Sequence, residues 1–272
     1  MLEILNFFSK NISENIKMYL KGQPAEICKK LEEIRIRSNG SIALKFIEHQ
    51  EILENRIVYQ DILDTLQIMC ENSIYSYQNE IKNGFITVKG GHRVGISGNC
   101  VIENGKVINI NYISGMNFRI AKEIPGCSNK ALEYILNLKE NSVYNTLIVS
   151  PPGAGKTTLL RDIIKNISNG IDDINFKGMN VGLVDERGEI AALYKGIPQN
   201  NIGIRTDVLE NVSKPIGIKM LIRSMAPQVI SADEIGQASD IEAIEEAVCS
   251  RSKRNFHGSW RRKRGFIKKS CN

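Results

Sequence analysis

The sequence has no run of about 18 apolar residues, so no membrane-spanning helix is expected. It is short of metal-binding side chains. Only three histidines occur, and no two of the six cysteines (Cys28, Cys70, Cys100, Cys127, Cys249, Cys271) form a CxxC pair. That argues against a zinc site and for ordinary reduced thiols. The opening MLEILNFFSKNISENIK has an early acid and no basic stretch before an apolar core. It does not read as an export signal, and a cytoplasmic location is expected. A body-wide positive charge is also missing. The formal net charge is +6, yet the segment Arg251–Asn272 holds nine Lys and Arg and no acid. Without it, residues 1–250 carry 27 cations against 30 anions, a net of −3, and lack the electrostatic footprint of a nucleic-acid binder. No internal repeat is visible. What is present is ordinary for a soluble globular protein: 42% apolar and 24% charged residues in a chain of 272, enough for one large domain or two smaller ones.

Two regions differ in pattern. In residues 1–125, Leu31 to Ile36 alternates, and Ile42 to Phe46 follows a Ser38-Asn39-Gly40 turn signal, which predicts a hairpin. Ile62, Leu66, Met69, Cys70, Ile74, Tyr77 and Ile81 recur at helical spacing, predicting one long helix over Val58–Lys82 that ends at Gly84. Phe85–Val88, Arg93–Ser97 and Cys100–Val107 read as short strands separated by Gly90-Gly91, Gly98 and Asn104-Gly105. An α+β domain is the natural expectation. Pro125-Gly126 marks a boundary, and residues 126–250 then alternate. Helices are expected at Ala131–Leu138, Thr157–Ile167, Lys214–Met225 and Asp240–Val248, and strands at Thr146–Val149, Val181–Val184 and Val229–Ala232. Alternation of this kind predicts a mostly parallel sheet covered by helices.

The chemistry is concentrated in TLIVSPPGAGKTTLLRDII. An apolar strand feeds a turn (Ser150, Pro151, Pro152, Gly153, Ala154, Gly155) that opens a helix at Lys156, Thr157 and Thr158. Two glycines allow the backbone to curl with its N–H groups inward, making an anion nest. The helix start adds the positive end of its dipole. Lys156 suits the β- and γ-phosphates and the Thr157 hydroxyl suits Mg²⁺, so ATP with Mg²⁺ is the expected ligand pair. The pattern GxxxxGKT would place glycine where Ser150 stands; a small side chain leaving the strand fits there.

A phosphate loop that hydrolyses its ligand needs carboxylates on a neighbouring strand. PQVISADEIG supplies Asp233, expected to hold Mg²⁺, and Glu234, expected as general base. A second pair, Asp185 and Glu186 in VGLVDERGEIA, is either another edge of the same site or structural, with Glu186 or Glu189 paired to Arg187 or Arg205. Charge developing on the γ-phosphate calls for an arginine, often from a neighbouring subunit. Arg223, on the helix just before the acid strand, is the foremost candidate over Arg205, Arg93 and Arg119.

EIRIR, GGHRVGISG, NFRIAKEIPG, SPPGAGKTTLLRD, VGLVDERGEIA, GIRTDVL and LIRSMAPQVISADEIGQASDIEAIEEA together resemble the stage III sporulation protein AA family, over roughly residues 20–250 and in consistent order. That family is similar to type II and type IV secretion ATPases. The resemblance implies an α/β, RecA-like P-loop domain behind a smaller α+β domain. It implies ATP hydrolysis and a homo-oligomeric, hexameric ring. It further implies work at the cytoplasmic side of a membrane in the mother cell of a sporulating bacterium, on membrane-embedded channel subunits facing the forespore. No specific nucleic acid is implied. It also supports the roles of Arg223, Asp233 and Glu234.

The resemblance is expected to stop after Ser250. The family would continue with an apolar strand and a Thr-Ala-His-Gly motif. Here residues 251–272 form a basic tail with a lone Trp260 and no period, expected to be disordered. Synonymous codons for Ser252 to Trp260 exist that, read one base later, encode Val-Lys-Gly-Ile-Phe-Thr-Ala-His-Gly. A frameshift near codon 250 is therefore expected, with poor folding or weak hydrolysis as its consequence, and His257 is not the family's histidine. The other readings are a nucleotide-binding subunit with little or no hydrolysis, and a nucleic-acid-dependent NTPase or lipid binder acting through the tail.

Overall fold

The computed structural model describes residues 2–151 and 153–245; Pro152 and the basic tail lie outside them. The first half opens with a 3-10 turn (Leu2–Phe7), α1 (Lys10–Lys21) and α2 (Ala25–Lys29). Strands β1 (Leu31–Arg37), β2 (Ile42–Phe46) and β3 (Gln50–Leu53) follow, then α3 (Tyr59–Met69) and α4 (Gln78–Lys82). Strands β4 (Phe85–Val88), β5 (His92–Glu103) and β6 (Lys106–Arg119) complete an antiparallel sheet of order β3-β2-β1-β6-β5-β4. The expected hairpin is β1–β2, paired from Leu31↔Phe46 to Ile36↔Ile42. Its inward residues Ile34 and Ile36 join Ile12, Ile16, Ile62, Leu66 and Phe118 in one core. The Phe8 and Phe118 rings meet at 4.1 Å between centroids.

Two expectations for this half need correction. The helix over Val58–Lys82 is broken. Its backbone leaves helical space at Glu71 (φ 47°) and Asn72 (φ 62°), and resumes through a 3-10 turn (Ile74–Tyr77) into α4. Asparagine tolerates the left-handed region, and Asn and Ser side chains compete for local backbone groups, so Asn72-Ser73 ends a helix whose apolar spacing would carry on. The strands around Gly98 are not separate either. β5 runs through Gly98 with a bulge between Ser97 and Asn99, where a Cβ would come within 2.7 Å of the Asn111 carbonyl.

The second half contains α5 (Asn129–Ile135), the short pair β7 (Leu136–Asn137) and β8 (Ser142–Val143), and α6 (Lys156–Asn169). The pair β9 (Gly170–Ile171) and β10 (Phe176–Lys177) leads to β11 (Val181–Asp185). After the hairpin β12 (Leu193–Tyr194) and β13 (Ile197–Pro198) come β14 (Thr206–Glu210), α7 (Lys214–Ser224), β15 (Val229–Ala232) and a helical stretch over 238–245. The central sheet is parallel, in the order β14-β11-β15. β11 is buried along its whole length, as a middle strand covered on both faces should be. Val181 and Leu183 pack in the core that holds Ile163, Ile164 and Ile167 of α6, and Val184 packs in the core that holds Ile218 and Leu221 of α7. Gly217 permits that second contact, because a Cβ there would meet Val184 at 2.7 Å.

Thr146–Val149, expected as a strand, pairs with no other strand among the described residues. Ile148 packs on the core, while Leu147 is 70% and Val149 82% exposed. An extended segment becomes a strand only by pairing. β15 is paired on one side alone, and no described strand fills its other edge. In the opposite direction, β14 was not expected from the sequence. The helix expected at Asp240–Val248 is helical as far as residue 245, where the described residues end.

Candidate phosphate-binding and acid site

The phosphate loop takes the backbone form its glycines permit. Gly153 (φ 77°) and Gly155 (φ 84°) are both left-handed, and Gly155 is the N-cap of α6. Among the described residues, the first-turn amides of Lys156, Thr157 and Thr158 and the Thr157 hydroxyl have no protein acceptor or partner. Lys156 Nζ donates to the carbonyls of Ser150 (2.8 Å) and Pro151 (3.0 Å), so its ammonium sits over the loop.

The helix behind the loop is anchored by two side chains with no expected role. Arg161 is buried and donates to three carbonyls: Ile190 (2.8 Å), Glu189 (2.7 Å) and Lys122 (3.4 Å). Asp162 accepts from Ser128 N (2.9 Å) and Oγ (2.7 Å). Burial opposes ionisation of Asp162, but these bonds outweigh it and hold its carboxyl below the usual range.

For Asp185, read either as an edge of the site or as structural, the structure shows the contacts of a turn-closing residue. Its fully buried carboxylate accepts from the amides of Glu189 (2.9 Å), Ile190 (3.0 Å) and Ala191 (2.8 Å), closing the turn after β11. Burial pushes its carboxyl up, against the pull of those amides. The expected partners of Glu186 and Glu189 also change. Glu189 pairs with Arg93 (2.7 Å) of the antiparallel sheet, and Glu186 with Lys214. Arg187 instead meets Glu234 (3.0 Å). Arg205 donates to the carbonyls of Ser168 (2.9 Å) and Asn169 (3.3 Å) at the end of α6, where it caps the helix. Arg223 is exposed in the last turn of α7, and Arg119 is exposed on β6.

Asp233 and Glu234 follow β15. The pairing Val184↔Ala232 places Asp185-Glu186 and Asp233-Glu234 at the same ends of adjacent parallel strands. Between them lies Lys214, the side chain sequence reasoning missed. It is only 8% exposed, bonded to Glu186 and 3.1 Å from Asp233 Oδ1. That oxygen is buried without an aligned hydrogen bond. Burial raises the Asp233 carboxyl and Lys214 pulls it back. Burial would lower the Lys214 ammonium, but Glu186 and Asp233 outweigh it and hold it above its ordinary value.

Leu159 and Leu160 of α6 and Val229 of β15 pack on one core, so loop helix and acid strand are parts of one body. Among the described residues, no hydrogen bond or ion pair joins positions 150–158 to Asp233, Glu234 or Arg223. No group of three or more His, Cys, Asp or Glu that could hold a metal ion occurs among them either. A divalent ion here would have to share its ligands with phosphate oxygens. Among the described residues, the Asp233 carboxylate, held by Lys214 alone, and the unengaged Thr157 hydroxyl are the donors that fit it.

The sequence model of the family "Sporulation stage III, protein AA" matches residues 4–259. The chain belongs to this family. The match extends past Ser250, where the resemblance was expected to stop. A family relative, the stage III sporulation protein AA of Bacillus subtilis (strain 168), is 38% identical over 244 residues, covering 90% of this chain and 78% of the relative. Solved structures of similar fold include the Legionella pneumophila ATPase DotB (TM-score 0.52, 16% identical, 87% of this chain) and the pilus retraction motor PilT with bound ADP (TM-score 0.53, 17% identical, 86% of this chain). The Yersinia pseudotuberculosis ATPase DotB is a third (TM-score 0.54, 15% identical, 89% of this chain). The chain spans 63% of the length of each of the three. The fold is thus the α/β, RecA-like one of secretion ATPases, preceded by a separate antiparallel sheet. No helix among the described residues is long and apolar enough to cross a membrane.

Proposed function

We propose that this family member binds ATP with Mg²⁺ in the loop Ser150–Thr158 and hydrolyses it as a subunit of a ring, expected to be a hexamer. The observation that carries the reading is the left-handed pair Gly153 and Gly155 opening a helix whose first amides have no acceptor among the described residues. Lys156 would exchange its two carbonyls for β- and γ-phosphate oxygens. Thr157 and Asp233 would hold the Mg²⁺, which when bound neutralises phosphate charge. Glu234, released from Arg187, would take the proton of the attacking water. Arg223, exposed on α7, is free to face a neighbouring subunit's nucleotide. The expected setting is the mother-cell side of the membrane, peripheral to channel subunits and without specific nucleic acid. Family membership and the likeness to secretion ATPases support this.

A second reading, a nucleotide-binding subunit with little hydrolysis, is favoured by the edge of β15 and the Thr146–Val149 segment, neither of which pairs with a further strand among the described residues. A frameshift near codon 250 would remove a strand suited to that place. Binding and turnover assays on the full chain, Lys156→Ala and Glu234→Gln separate the two. The enzyme reading expects nucleotide affinity to collapse in the first variant and turnover alone in the second. Nucleotide binding with turnover unaffected by either change would refute hydrolysis at this site.

A further inference from the structure

Lys214 breaks a local rule. It stands in the first turn of α7, where the helix dipole disfavours a cation, and its ammonium is withdrawn from water. What offsets both costs is its position between Glu186 and Asp233, on the ends of adjacent parallel strands. Two carboxylates so placed repel each other unless a positive charge stands between them. Asp233 Oδ1 lies 3.1 Å from that ammonium and has no other polar partner among the described residues, so Lys214 alone holds it. Glu234 meets a cation too, Arg187, in an exposed ion pair (3.0 Å). Both acids after β15 are therefore neutralised by cations from elsewhere in the fold.

We propose that Lys214 is a positioning residue that occupies the cation place beside Asp233 in the nucleotide-free chain and competes with the divalent ion for it. This rests on the reading of Asp233 as the metal-holding acid. The ammonium keeps the carboxylate aimed and the acid pairs together, and it swings toward Glu186 alone when a metal–nucleotide arrives. Glu186 is the receiver that lets Lys214 leave Asp233 without becoming an unpaired buried charge.

The test is Mn²⁺ binding to the full chain with saturating ADP, read from the free-ion EPR signal, alongside thermal melts. Lys214→Met should bind Mn²⁺ on the order of ten-fold more tightly than the parent, as for removal of one competing charge. Lys214→Arg, which keeps the cation, should stay near the parent. The nucleotide-free methionine variant should melt lower and recover more than the parent on adding Mn²⁺ and ADP. If methionine does not fold at this position, Lys214→Gln carries the same expectation. Equal or weaker Mn²⁺ affinity in the neutral variants overturns the proposal; if Asp233→Asn still weakens Mn²⁺ binding in the parent, the metal role of Asp233 survives that failure. Insensitivity of Mn²⁺ binding to Asp233→Asn overturns both.

Discussion

Glu210, at the end of β14, carries a carboxylate the fold does not fully provide for. Its Oε1 accepts one bond, from Leu193 N (2.8 Å), and it lines a cavity of about 310 Å³ between the antiparallel sheet and the second half, with Glu80, Tyr77 and Lys195. Burial pushes this carboxyl up to about 7, Asp185 and Glu80 push the same way, and the Leu193 amide and Arg93 oppose them. Between the ordinary value of 4.5 and 7 the folded chain therefore holds a proton that the unfolded chain has released. Stability must then fall as pH rises through that interval, with the full penalty present above it. At about 1.4 kcal/mol per pH unit the ceiling is about 3 kcal/mol. The side chain is only part-buried, and solvent screening reduces the figure to about 1–2 kcal/mol. Glu210→Gln retains an oxygen for Leu193 N and cannot ionise. The variant should therefore exceed the parent by about 1–2 kcal/mol at pH 8, a few degrees in Tm, and by only about a quarter of that at pH 5. Thermal melts of both chains from pH 5 to 8.5 measure the gap. A gap that is absent at pH 8, or equal at both ends, would refute the reasoning.

Arg161→Ala should destabilise the chain by about 3 kcal/mol in urea unfolding, because it strands the buried carbonyls of Ile190 and Glu189, and Arg161→Lys should restore only part of that. Restoring the alternative reading frame after codon 250 should raise Tm and ATP turnover together, with Leu147 and Val149 becoming protected from solvent. Sequencing the gene across that codon checks the premise, and unrelated in-frame codons would remove it.

The phosphate loop, β1–β2, α6, α7 and β11 were legible because their signals are local: glycine spacing, alternation, helical period. The break after Met69 was not, because the apolar period continues through Ile74 and Ile81 while the backbone turns at Glu71 and Asn72. β12 and β13 are too short to carry a pattern.

Strands expose the deeper limit. Thr146–Val149 has the better strand composition, and Thr206–Glu210 is more polar, yet only the second is a strand, because it lies in register with β11 from Val181↔Thr206 to Asp185↔Glu210. A ladder is a property of two segments, and neither reveals its partner. The acid site fails to show itself for the same reason. Asp185, Glu186, Asp233 and Glu234 read as four similar carboxylates, and the sequence does not tell which amides or cations meet them. Folding sends Asp185 to three backbone amides, Glu234 to Arg187, and Glu186 with Asp233 to one buried lysine. The surroundings of each acid are therefore set by the partner folding brings to it, and for Asp233 that is a side chain whose place at a helix N-terminus makes no local sense until the two strand ends are side by side.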